Sequence, residues 1–174
     1  MYSEWQTDYD MIRERYPDIE FEKGWRDEIF YSLSPEQRNI LVLDDQMDVA
    51  SSSKSVADLF TKGSHHRNLT VIYLMQNVYN HGKSQRTISL NSHYSVVFLN
   101  GRDASQFRTM AYQIYPSDGQ WLVNAFTDAT LKPYGYLVLD HHPSIPEDQT
   151  VLINIFPIGE LTYYINTHHN VRRH

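Results

Sequence analysis

Four apolar residues, Ile40-Leu41-Val42-Leu43, run directly into two carboxylates, Asp44 and Asp45. A continuous apolar run, partly β-branched, predicts a strand buried on both faces, as in a parallel sheet. Such a strand delivers its last residues to the carboxyl edge of the sheet, where open α/β folds bind ligands. Two carboxylates there suit phosphoryl transfer. One holds Mg²⁺, and the other aligns or deprotonates the attacking water. The plainer alternative is an acidic loop that happens to follow a strand. A second apolar run, Leu69–Leu74, ends at Met75-Gln76-Asn77. An amide at that place can orient water or sense a γ-phosphate without adding charge. It can equally be a turn residue that caps the strand.

Arg67 and Arg86 flank the second strand. Either could reach a nucleotide on a neighbouring subunit as an arginine finger, because a guanidinium bridges transition-state oxygens. Taken singly, each is an ordinary solvated arginine. Lys62, His65, His66 and Arg67 form a small basic patch suited to a nucleic-acid backbone. Six of the nine histidines come as neighbours: His65-His66, His141-His142 and His168-His169. Adjacent strand residues face opposite ways, so one pair rarely supplies two metal ligands. A metal site would need Asp44 or Asp45 to converge with His141 or His142, next to Asp140. Tyr134 and Tyr136 could stack on a base, or they start a strand as packing residues.

The elements that must position these groups alternate along the chain. A short helix is expected from Asp8 to Arg15, ended by Pro17. A brief strand is expected at Ile19-Glu20-Phe21. After the Ile40–Asp45 strand, Val56 to Lys62 reads as a helix closed by Gly63. Ser95–Leu99 is a third strand. Asp103 caps a helix through Ile114, and Ser117 or Asp118 caps another carrying Trp121, Leu122, Ala125 and Phe126. Tyr136–Leu139 and Val151–Phe156 complete five principal strands. Strand and helix in alternation predict α/β with a mostly parallel sheet flanked by helices.

Composition bounds the function. The 174 residues are 41% hydrophobic and 21% charged, enough for a sizeable core and unlike a disordered tail. With 15 Lys plus Arg against 21 Asp plus Glu, the net charge is −6, which excludes a broad surface for DNA phosphates. There is no cysteine, so disulfides, thiolate zinc sites and thiol catalysis are excluded. No apolar run approaches a membrane span, and Met1-Tyr2-Ser3-Glu4-Trp5 does not read as a signal peptide. No membrane partner is expected.

The stretches Asn39–Asp45, Asp58–Asn68 and Val71–Asn77 together resemble the poxvirus-type genome-packaging ATPases, P-loop motors of the FtsK–HerA superfamily. The likeness continues through Arg86–Tyr94, Asn100–Asp103 and Lys132–Tyr136, covers roughly residues 1 to 157, and is most specific from Phe60 to Asn77. Relatives occur in large DNA viruses and in Maverick, Polinton or adintovirus-like elements. The resemblance implies a RecA-like core lacking its first strand and P-loop. It assigns residues 1–160 to a partial P-loop ATPase domain and 161–174 to a polar tail. It implies that Asp44 holds Mg²⁺, that Asp45 is the general base and that Gln76 is the polar sensor toward ATP. It also implies a homo-oligomeric ring acting on double-stranded DNA through a few pore residues, in the nucleus or in cytoplasmic viral factories.

Two departures stand out. No G-x-x-x-x-G-K-[ST] occurs in the chain, and the only Gly-Lys pair is Gly82-Lys83. A loop of that type cradles phosphates with backbone N–H groups, a lysine and a hydroxyl. The expectation is therefore the C-terminal two-thirds of such a motor's ATPase domain, inactive alone. Ser95 also stands where the FtsK branch has an arginine, which leaves Arg86 or Arg67 as the finger. Two other functions compete: a metal-dependent nuclease or phosphoesterase using Asp44, Asp45, Asp140 and His141, and a non-catalytic remnant or interaction module.

Overall fold

Asn39–Asp44 forms a strand, β1, and Leu69–Leu74 forms β2 beside it in parallel, with Asn39 opposite Leu69 and Asp44 opposite Leu74. The computed structural model describes residues 1–46, 53–63, 68–76, 83–101, 104–156 and 159–167. The chain divides into two units, Met1–Asn91 and Ser92–His174.

In the first unit, helix α1 (Thr7–Arg15) and helix α2 (Asp27–Ser32) precede β1. Helix α3 (Lys54–Asp58) continues into a π-helical turn, Leu59–Gly63, and leads to β2. Ser53 caps α3 by accepting from the Val56 N–H at 3.4 Å. Helix α4 (Lys83–Asn91) closes the unit. Leu41 and Leu43 of β1 pack inward on Val56, Leu59, Leu69 and Ile88. The alternate residues Ile40 and Val42 remain exposed, Ile40 at 70%. The N-terminal residues lie along the far edge of β1. Met1 N donates to Val42 O at 2.7 Å, and Asp44 N donates to Met1 O at 2.9 Å. Tyr2 bridges both Asp44 and Lys23 in parallel. The expected strand at 19–21 does not form. Phe21 instead joins a cluster with Trp5 and Tyr9, its ring centroid 5.4 Å from Trp5 and 5.7 Å from Tyr9.

In the second unit, β3 (Tyr94–Phe98), β4 (Tyr136–Asp140), β5 (Val151–Ile153) and β6 (Thr162–Tyr163) make one sheet in that order, antiparallel throughout. Helices α5 (Ala104–Ile114) and α6 (Gly119–Ala129) lie between β3 and β4 in sequence. Their Phe107, Ala111, Leu122 and Phe126 pack on Leu137, Leu139 and Val151. Asp118 is the N-cap of α6, but its carboxylate caps nothing and accepts from Asn166 Nδ2 at 2.9 Å. The expected cap Asp103 lies outside the described residues.

The expectation of a mostly parallel, RecA-like sheet is therefore wrong. Two parallel strands and a separate four-stranded antiparallel sheet stand in its place. The reason is the number of helices between strands. One helical passage, as between β1 and β2, returns the chain to the same end and gives parallel neighbours. Two passages, α5 and α6, reverse it once more, so β4 runs against β3. An apolar run reports burial and says nothing about direction.

Candidate functional site

The β1–β2 register places the ends of both strands together, so Asp44, Asp45 and Gln76 all fall at the carboxyl end of the parallel pair. Both carboxylates are half-buried, and each has a partner from the N-terminal segment. The Tyr9 hydroxyl donates to Asp44 Oδ2. The Ser3 hydroxyl donates to Asp45 Oδ2 at 2.9 Å. Burial, with the Asp44 bond and charge behind it, pushes the Tyr9 phenol well above its ordinary value, so it stays a donor far into alkaline solution. Asp45 adopts φ +51°, the left-handed region that aspartate tolerates better than most residues.

Two further groups belong to this end of the pair. Tyr73 lies opposite Leu43, and its hydroxyl is buried with no partner among the described residues. Burial first, and the Asp45 charge second, raise its pKa. Gln46, directly after Asp45, is only 4% exposed, and its Nε2 also lacks a partner among the described residues. Buried polar groups are nearly always bonded, and among the described residues these two donors have no acceptor. Two carboxylates at one strand end can share a metal that carries phosphate or water ligands.

The remaining expected groups are placed less closely. Gln76 is exposed, two residues beyond β2, and Arg86 is exposed on α4. Among the described residues Arg86 forms no ion pair with Asp44 or Asp45. Arg67, His65, His66 and Asn77 lie outside the described residues. The side chains that sequence reasoning missed are Ser3, Tyr9, Gln46 and Tyr73. Ser3 and Tyr9 sit 42 and 35 residues before the carboxylates that they bond, with no local motif to reveal them. Gln46 was readable as the next residue after the acidic pair.

The second unit holds its own polar cluster. Asp140 Oδ1 accepts from the His142 backbone N–H at 3.0 Å and meets its Nδ1 at 2.7 Å. The His142 ring stacks on His93 with centroids 4.6 Å apart. His141 instead bonds Ser95 Oγ through Nε2 at 3.0 Å. Desolvation of the ring lowers the His141 pKa, against the opposing charge of Asp140. Asp140 is thus bonded to His142 through Oδ1. Among the described residues, no three His, Asp or Glu side chains are grouped to hold a metal.

Comparisons with family models, with curated proteins and with solved structures found no match.

Proposed function

We propose that the first unit is the metal-holding half of a phosphoryl-transfer site, of the kind that drives nucleotide-powered DNA-packaging motors. The observation that carries this reading is the parallel register, which sets Asp44 and Asp45 at the carboxyl end of β1 and Gln76 at that of β2. Mg²⁺ keeps several waters and is usually held by one or two carboxylates plus substrate phosphates. Asp44 and Asp45 supply that share and no more. When bound, the metal neutralises charge on the phosphate. Asp44 would hold it through the oxygen not engaged by Tyr9. Asp45, fixed by Ser3, would accept a proton from water. The ATP phosphates do not fit this chain alone, because no sequence in it makes a phosphate-cradling loop.

The test is a Mn²⁺ titration followed by water-proton relaxation. Weak saturable binding is expected, and Asp44→Asn should weaken it, because one of two charged ligands is lost. Equal binding by wild type and Asp44→Asn would sink the reading. ATP turnover by this chain alone should not exceed the blank, and turnover by an unmutated sample that Asp45→Asn leaves unchanged would also count against it.

A further inference from the structure

In the second unit, the turn between α6 and β4 is built against the conformational preference of one of its residues. Gly135 N donates to Lys132 O at 2.9 Å, closing the four residues Lys132-Pro133-Tyr134-Gly135. Pro133 holds the second position, and Tyr134, at φ +61°, holds the third. This is the signature of a type II turn, whose third position asks for glycine or asparagine. A bulky aromatic residue at positive φ is an outlier. No burial offsets the strain, because Tyr134 is 94% exposed. The turn is also rigid. A Cβ on Gly135 would lie 2.4 Å from Ala129 O, so the chain is pressed against the end of α6. Backbone strain that packing does not explain is a feature of binding sites.

The surroundings say what would bind. The turn forms one wall of a shallow cleft with Phe98, Leu99 and Leu131, all largely exposed. Among the described residues, the one charged residue lining this cleft is Lys132. A solvent-projected ring with free faces, an apolar floor and the cation of Lys132 match a planar aromatic group joined to an anion. A polyproline groove is different: it holds aromatic rings side by side as walls, and it needs no cation.

We propose that the Lys132–Gly135 turn is a stacking site for an unpaired base of single-stranded nucleic acid, with Tyr134 beneath the base and Lys132 against a phosphate. The site lies wholly in the second unit and does not depend on the metal half-site. It is small, so affinity is modest and salt-sensitive.

The test is fluorescence anisotropy of a labelled oligothymidylate of about 15 nucleotides at low salt, with thermal melting of each variant. Wild type should bind, Tyr134→Phe should hold, and Tyr134→Ala should weaken binding roughly tenfold. Lys132→Gln should weaken it and reduce the salt slope by about 0.7. Tyr134→Gly is the decisive variant: it should weaken binding as much as Tyr134→Ala does while its melting temperature holds or rises, because glycine suits the turn. A fall in melting temperature with Tyr134→Gly would show that the ring is a packing residue and overturn the proposal. So would oligonucleotide binding indifferent to Tyr134, equal binding of a blunt duplex, or capture of a proline-rich peptide in place of the oligonucleotide.

Discussion

The phenol of Tyr9 on α1 donates to Oδ2 of Asp44, the last residue of β1, across 35 residues of chain. A hydrogen bond to a charged acceptor contributes about 1.5–3 kcal/mol. Tyr9→Phe should therefore lower the stability of the first unit by about 1–2 kcal/mol in urea denaturation, with the aromatic packing on Trp5 and Phe21 retained. The same change frees an oxygen of Asp44, so Mn²⁺ should bind no more weakly than before. A variant as stable as wild type would mean that the bond is not formed in solution.

Gln46 tests the orphaned amide. Replacing an unbonded buried polar group by an apolar one of similar volume is neutral or stabilising. Gln46→Leu should keep or raise the unfolding midpoint in metal-free buffer. Leu43→Ala, at a fully buried neighbour, should cost roughly 2–5 kcal/mol. A loss of that size in Gln46→Leu would show that the amide has a partner after all.

Gly135→Ala addresses the turn from the side opposite to Tyr134. The new methyl would stand 2.4 Å from Ala129 O and 2.9 Å from Lys132 O, both backbone atoms. Neither can rotate away, so roughly 1–3 kcal/mol of overpacking strain is expected. Circular dichroism melting should show a clear drop, against the held or raised temperature of Tyr134→Gly.

Tyr164 gives the second unit an alkaline limit. Burial first, then the bond and charge of Asp128, push its phenol up to about 12 from the ordinary 10.0. The folded state thus holds a proton that the unfolded state releases earlier. Its stabilising contribution is full below pH 10.0 and is lost as pH rises toward about 12. Melting temperature should fall across that window, and Tyr164→Phe should fall less steeply. Parallel curves for the two proteins would refute the assignment.

Much of the local structure was legible. The apolar run before Asp44 is a strand, and Val56 and Leu59 are buried together as the helix spacing required. Phe107 with Ala111, and Leu122 with Phe126, face one core as the four-residue interval demanded. The pairing of strands was not legible. Ile40 and Val42 are as apolar as Leu41 and Leu43, yet they face solvent. Apolar character therefore hid an alternation that polar residues would have displayed. Strand direction depended on the helices between strands, which a reading of periodicity alone does not weigh. The Asp44–Asp45 pair could be found because its signal is contiguous. Its partners Ser3 and Tyr9 could not, because only folding brings them near.

The parallel pairing of β1 with β2 also has a kinetic consequence. Asn39 meets Leu69, so the intervening chain must close on itself before the first ladder bond forms. A parallel pair cannot be joined by a tight turn from which to zip. β4 and β5 meet sooner, at Leu139 and Val151. The second unit therefore has a local route to its sheet, and the first does not. While the loop is open, β1 offers an unpaired edge, and Ile40 and Val42 beside it are apolar. Another copy of the chain can reach that edge before β2 does. Refolding yield should therefore fall with rising protein concentration, and the loss should begin in the first unit.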